Sequence, residues 1–303
     1  MHDFAPNSFA EDEENEDDAW TPLQLAASQG DLPLVQSLIP TCDVNAPPNG
    51  FYGRNALQAA SAHGHLAVVR ALLASNADPN AAGGNNGGLT AVQAACSGGF
   101  AEIVHVLVAA GARIDAGPAR YRGRSAIQAA AEGGHVALVR ELLDLGRVDV
   151  NGPIARYAGC SALQGAAAGR DTRYLELVPI LLDAGADADA PPARYNGRTA
   201  LQAAAQSGYL EMLDLLLRRG ANANAPGAYY NGRTALAAAA EAGHKTVVRR
   251  LLESGADVYA LCGNPPQRRA LELAVAADQS DVIRLLESAE GLGCEELLEE
   301  QDE

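Results

Sequence analysis

Lysine is almost absent from this chain of 303 residues: of 22 basic residues, Lys245 is the single lysine. Aromatic side chains are scarce too, at 5 %, with one Trp and four Phe. A large sheet core needs more aromatic and β-branched residues than that, so the shortage points to short helices packed through small side chains. No apolar run approaches the roughly 18 residues that cross a bilayer, and no membrane span is expected. The five cysteines, Cys42, Cys96, Cys160, Cys262 and Cys294, lie far apart and form no C-x-x-C pair. That pattern fits a reducing compartment and argues against a zinc module. Residues 1–18 have neither a basic start nor an apolar run and do not read as a signal peptide. The expected location is intracellular, cytoplasmic or nuclear. G-x-S-x-G, Walker and H-E-x-x-H motifs are all missing. The chain is therefore expected not to be an enzyme and to hold no metal or cofactor.

The net charge of -16 is confined to the ends. Residues 1–18 carry eight acids and residues 287–303 another eight, with no Lys or Arg in either stretch. Between them, 22 acids face 22 bases. A neutral body with acidic ends is a poor match for a phosphate backbone, so nucleic acid is not an expected partner. The ends, 1–18 and 289–303, are expected to be disordered, the latter with a short helix near Leu297 and Leu298.

One phrase recurs along 19–288. It reads T-P-L-Q-L-A-A at Thr21, N-A-L-Q-A-A-S at Asn55, T-A-V-Q-A-A-C at Thr90 and S-A-I-Q-A-A-A at Ser125. It continues as S-A-L-Q-G-A-A at Ser161, T-A-L-Q-A-A-A at Thr199, T-A-L-A-A-A-A at Thr234 and a worn R-A-L-E-L-A-V at Arg269. Its apolar anchors are Leu23, Leu57, Val92, Ile127, Leu163, Leu201, Leu236 and Leu271, spaced by 34, 35, 35, 36, 38, 35 and 35 residues. A glycine turn follows each of the first seven phrases. Then come apolar residues three and four apart, as at Leu66, Val69 and Leu73, which mark a second helix. A phrase such as Gly220-Ala221-Asn222-Ala223-Asn224-Ala225 closes the unit. Thr, Ser or Asn at the phrase start with Gln three residues later is capping-box spacing, present six times from Thr21/Gln24 to Thr199/Gln202. Asn196-Gly197 and Asn231-Gly232 read as hairpin turns in which Gly supplies the positive φ.

The unit resembles the ankyrin repeat, with T-A-L-Q where the usual phrase has T-P-L-H. It is most similar to the fungal-style variant with a long finger, A-P-P-A-R-Y-N-G-R, complete at 190–198 and nearly so at 116–124 and 225–233. The resemblance implies an all-α solenoid of about eight helix-turn-helix repeats with extended hairpin fingers. It also implies that inner helices and fingers line a concave face. The expected function is a non-catalytic, monomeric scaffold or adaptor that binds another protein on that face, through an acidic or extended segment. The alternative is a small-molecule binder or unusual enzyme using an Arg/Tyr/Glu-lined groove in repeats three to six.

Three features compete as the contact surface. The inner-helix position after the Gln is tiny in the middle repeats: Ala59, Ala94, Ala129, Gly165, Ala203 and Ala238. These residues are either good helix formers at a tolerant place or the bare floor of a groove. On the second reading, Ala94→Arg, Ala129→Arg or Ala203→Arg abolishes partner binding and leaves folding intact. Along the fingers, Tyr52/Arg54, Tyr121/Arg124, Tyr195/Arg198 and Tyr230/Arg233 recur, while Tyr157 has Cys160 in place of the Arg. They are either stacked finger on finger or offered to a partner. Glu132, Gln206 and Glu241 at the inner-helix ends complete the set. Finally, repeats three to six are irregular. A glycine-rich 83–88 replaces one Tyr/Arg finger as a flexible gap, 169–174 contains a three-residue insertion, and Pro179 falls within an outer helix. His65, His135 and His244 recur at one place per repeat, too far apart to share a metal, and read as turn residues.

Overall fold

A computed structural model describes residues 20–48, 53–84, 88–263 and 267–292. Tyr52, the middle of the glycine-rich stretch and the helix expected near Leu297 lie outside the described residues.

Each phrase forms a short inner helix: α1 (Pro22–Gln29), α3 (Ala56–Ala62), α5 (Ala91–Gly98), α7 (Ala126–Glu132), α9 (Ala162–Ala167), α11 (Ala200–Ser207), α13 (Ala235–Glu241) and α15 (Ala270–Ala276). Each is followed by an outer helix: α2 (Leu32–Leu38), α4 (Leu66–Ala74), α6 (Ala101–Ala109), α8 (Val136–Asp144), α10 (Thr172–Asp183), α12 (Leu210–Arg218), α14 (Lys245–Glu253) and α16 (Ser280–Leu292). Every inner helix packs on the next inner helix, more closely than the outer row does. Alanine makes that approach possible: Ala27, Ala60, Ala95, Ala130, Ala166, Ala204 and Ala239 are fully buried. Seven of the anchors, Leu23 to Leu236, are at most 1 % exposed. In the last repeat the anchor Leu271 is only partly covered and Leu273 is buried instead. The last helix also runs four residues past the expected array boundary at 288.

All six capping boxes form. In the last repeat Arg269 has no acceptor to offer, so only half a box remains, with Glu272 accepting from the Arg269 N–H. The Gln of each full box does more than cap. Its amide nitrogen crosses to the following finger and donates to a carbonyl there, from Gln24 to Pro47 O at 3.1 Å through Gln202 to Ala225 O at 2.9 Å. Finger asparagines make a second row of ties: Asn80 donates to Gly111 O at 2.9 Å and accepts from the Arg113 N–H at 2.8 Å. The recurrent histidines make a third. His65, His135 and His244 place Nε2 at 2.9, 2.9 and 3.0 Å from the carbonyls of Ser28, Ser97 and Gln206. A carbonyl only accepts, so Nε2 carries the proton in each. These are inter-repeat staples as well as turn residues.

The finger tips correct one expectation. The positive φ falls on Asn196 (52°) and Asn231 (55°), and on Arg122 (51°) and Ala158 (51°) in the same place, not on the glycine that follows. That glycine is required for a different reason: a Cβ on Gly197 would lie 2.3 Å from Ala193 N and O, and one on Gly232 would lie 2.1 Å from Ala228 N. The described part of 83–88 is likewise tight rather than open, since a Cβ on Gly83 would meet Gly88 C at 2.4 Å. Ala158 is exposed and bears a left-handed backbone that asparagine tolerates better. Ala158→Asn is expected to stabilise the array by about 0.5–1 kcal/mol, raising the thermal midpoint by about 1–3 °C. A lower midpoint would show that the turn does not keep this backbone.

Candidate functional site

The inner helices α3 to α13 show solvent little except at their C-terminal ends. In α3 to α13 the first six residues are buried, and exposure begins near Ser97, Glu132, Ala168, Gln206 and Glu241. This overturns the expectation of a bare alanine floor. Ala94 and Ala129 are 2 % exposed and Ala203 is 7 % exposed, because each is wedged between two neighbouring inner helices. They are packing residues. The exposed end position changes from copy to copy, whereas the buried positions before it barely change.

The finger arginine reaches the helix-end residue eight positions on. Arg124 donates from Nε and Nη2 to the two carboxylate oxygens of Glu132, at 2.7 and 3.2 Å. Its Nη1 donates to the carbonyls of Arg122, Gly123 and Ala158. Burial by itself would lower the Arg124 pKa; the Glu132 hydrogen bond and charge outweigh it, and the net direction is up. Arg233 repeats the fork on Glu241 at 3.0 and 3.3 Å. Arg198 stands at the equivalent place, but the residue eight positions on is Gln206. Among the described residues Arg198 has no hydrogen-bond acceptor and no ion pair. Burial draws its pKa down, with the Glu241 charge acting in the opposite direction. Arg54 is half-buried at its own finger base.

Repeat five interrupts the row. Cys160 replaces the arginine, Ala168 the glutamate, and Gly165 the inner alanine. A cleft of ≈ 330 Å³ results, bordered by Arg124, Glu132, Gly169, Tyr174, Arg198 and Ala203. The inserted residues let Tyr174 replace the usual histidine staple, its hydroxyl donating to Glu132 O at 2.9 Å. Pro179 is accommodated within α10, the longer outer helix that follows the insertion. Burial pushes the Cys160 thiol up to about 11, against the pull of Arg124 and with a further push from Glu132. A thiol held protonated at neutral pH is a poor nucleophile.

The finger tyrosines stack in one file. Ring centroids of Tyr121, Tyr157, Tyr195 and Tyr230 follow at 4.8, 5.4 and 4.6 Å. Single parallel bridges join Tyr121 to Tyr157 and Tyr195 to Tyr230. Arg120 and Arg156 lie over their own tyrosines at 5.7 and 5.8 Å from the ring centroids, and Arg194 lies 5.1 Å from Tyr229. The ladder holds the fingers together and still leaves Tyr121 and Tyr195 more than a third exposed. Stacking and exposure therefore coexist in the same residues.

Sequence reasoning missed Tyr174, Cys160 as the floor of a cleft, and the contrast between Arg198 and its paired equivalents. The last had a signal: R-x7-E at Arg124 and Arg233 against R-x7-Q at Arg198. Among the described residues no group of His, Cys, Asp and Glu is placed to hold a metal ion. No helix there is long and apolar enough to cross a membrane.

The family described as ankyrin repeats (3 copies) matches the chain four times, over residues 4–83, 81–154, 147–227 and 222–295. Among solved structures, the crystal structure of the human ASB11 ankyrin repeat domain is 29 % identical. The match covers 78 % of this chain and 98 % of that one, with a TM-score of 0.60. No curated protein matches the chain.

Proposed function

Because the chain belongs to the ankyrin-repeat family, we propose that it is a scaffold or adaptor that binds a partner protein across its inner-helix ends and fingers. Ankyrin-repeat domains mediate protein–protein interaction and are typically non-catalytic, and the fold does not by itself select the partner. The observation that carries the reading is the division between buried and exposed positions of the inner helices. The packing alanines and the anchors of α3 to α13 are buried and repeat; the helix ends Ser97, Glu132, Ala168 and Gln206 are exposed, Glu241 is partly so, and these vary. A surface that varies on an invariant frame is suited to distinguish one partner from another. The exposed Tyr121, Tyr195 and Tyr229 beside it supply large, rigid contact area. Arg54, Arg120, Arg156 and Arg194 along the finger edge favour a partner that presents acidic groups.

The test is capture of a partner from native lysate by the intact chain and by a variant carrying Ser97→Arg, Ala168→Arg and Gln206→Arg. All three side chains sit outside the core, and the Ser97 and Gln206 staples use backbone carbonyls. The variant is expected to melt like the parent and to bind the captured protein at least about 10-fold more weakly. Equal capture would place the contact elsewhere on the array.

A further inference from the structure

We propose that Arg198 is a subsite for one carboxylate, an Asp or Glu side chain on an extended segment of the partner. This rests on the reading of this face as a protein-binding surface and adds to it the chemistry of one contact.

Two of the four finger arginines show what satisfies such a group. Arg124 and Arg233 are each held by both oxygens of a glutamate. Arg198 has Gln206 instead, and an amide brings no negative charge. No other described residue accepts a hydrogen bond from it. The side chain is exposed, and its guanidinium is open to an incoming group. A planar pair of oxygens would restore two bonds in the fork geometry that its neighbours already show.

The surroundings set the size and charge of what binds. Arg198 borders two clefts at once. One, of ≈ 330 Å³, lies over Cys160 and Gly165 beside Arg124 and Glu132. The other, of ≈ 170 Å³, is bordered by Gln206, Arg233 and Glu241. Across both clefts, three guanidinium groups face two carboxylates, and both carboxylates are already engaged. A single negative charge balances the remainder; a phosphate dianion would put surplus negative charge beside Glu132 and Glu241. The clefts lie on either side of one finger, so an extended chain can place its carboxylate on Arg198 and a neighbouring side chain over Gly165. Tyr174 of repeat five borders the first cleft and offers that neighbouring side chain an aromatic ring.

The experiment selects random peptides displayed on phage against the full chain, and in parallel against Arg198→Gln and Arg198→Glu. Melting curves confirm that both variants fold. The parent is expected to enrich peptides with Asp or Glu at one fixed position. Arg198→Gln should lose that preference and bind the parent's peptides about 10–100-fold more weakly. Arg198→Glu should exchange the acidic position for Lys or Arg. Peptides without a fixed acidic position, or an unchanged motif with Arg198→Gln, overturn the subsite and leave the interaction reading standing. Failure of the parent to enrich any peptide overturns both. Synthetic peptides of 1–18 and 293–303 serve as competitors. If either displaces the selected peptides as tightly as they bind, the occupant is the chain's own acidic end and the assignment to a partner fails.

Discussion

Gln128→Leu is expected to lower the stability of the array by about 2–4 kcal/mol, although it replaces one side chain of similar size and touches no exposed surface. Gln128 is 1 % exposed. Its carbonyl oxygen accepts from the Ser125 N–H at 3.0 Å, and its amide nitrogen donates to Pro153 O at 3.1 Å and Gly152 O at 3.5 Å. Leucine fills the space and satisfies none of these groups. The free N–H of a helix start and two finger carbonyls lose their partner together. The finger after α8 then loses the Gln128 hydrogen bonds that tie it to α7, and in a stack where each repeat leans only on its neighbours the damage reaches both halves. Urea unfolding followed by circular dichroism measures the loss. Gln128→Glu separates the two duties, because it keeps an acceptor for Ser125 and removes the donor to the finger. A loss under about 1 kcal/mol for Gln128→Leu would mean that the finger is held by its other contacts.

The second large effect concerns a substitution that the sequence reading treated as harmless to the fold. Ala129→Arg is expected to cost about 2–4 kcal/mol of stability. Ala129 lies between α5 and α9, and the space beside it is already small. A Cβ on Gly165, the equivalent residue one repeat on, would lie 3.3 Å from the Cβ of Glu132. An arginine must either push these helices apart or thread its stem out past the Arg124–Glu132 pair. Threading returns part of the loss by reaching water. The equivalent end-repeat residue Leu25 is 48 % exposed, and among the described residues no inner helix precedes α1 to cover it. Thermal unfolding of Ala129→Arg beside Ala168→Arg, whose site is exposed, checks the argument. Ala168→Arg should unfold like the parent. Matching midpoints for the two would return Ala129 to the surface. Loss of partner binding in Ala129→Arg therefore reports on folding, and Ala168 or Gln206 is the better position for probing contact.

Much of the architecture follows from residues close together in the chain. A capping box needs only a Thr, Ser or Asn and a Gln three positions later, and an amphipathic face needs apolar residues three and four apart. Both signals are complete within one or two turns, so repeats, helices and caps are legible in the sequence. So is the neutral body between acidic ends, since charge can be counted without knowing where the chain goes. The recurrence of Tyr in the fingers was likewise visible, along with the alternative that the rings stack on one another.

What stacking brings together is another matter. The Gln amide meets a carbonyl 23 to 27 residues away, and Tyr174 reaches a carbonyl 42 residues back. Gln202 and Arg198 are both polar and lie four residues apart, yet Gln202 is bonded to the Thr199 N–H and to the next finger, while Arg198 has no partner among the described residues. Local pattern could not separate Ala129, enclosed by two neighbours, from Leu25, which among the described residues has a neighbouring inner helix on only one side. It also assigned the left-handed turn to Gly197, because both residues of an Asn-Gly pair tolerate positive φ. Only the approach of Ala193 assigns the turn to Asn196 and the close contact to the glycine. The sequence by itself determined the repeat, because each unit is built from interactions within a few residues. Burial, pairing and the exposed edge were decided by the tertiary stack, because those depend on which neighbour's backbone arrives, and at what distance.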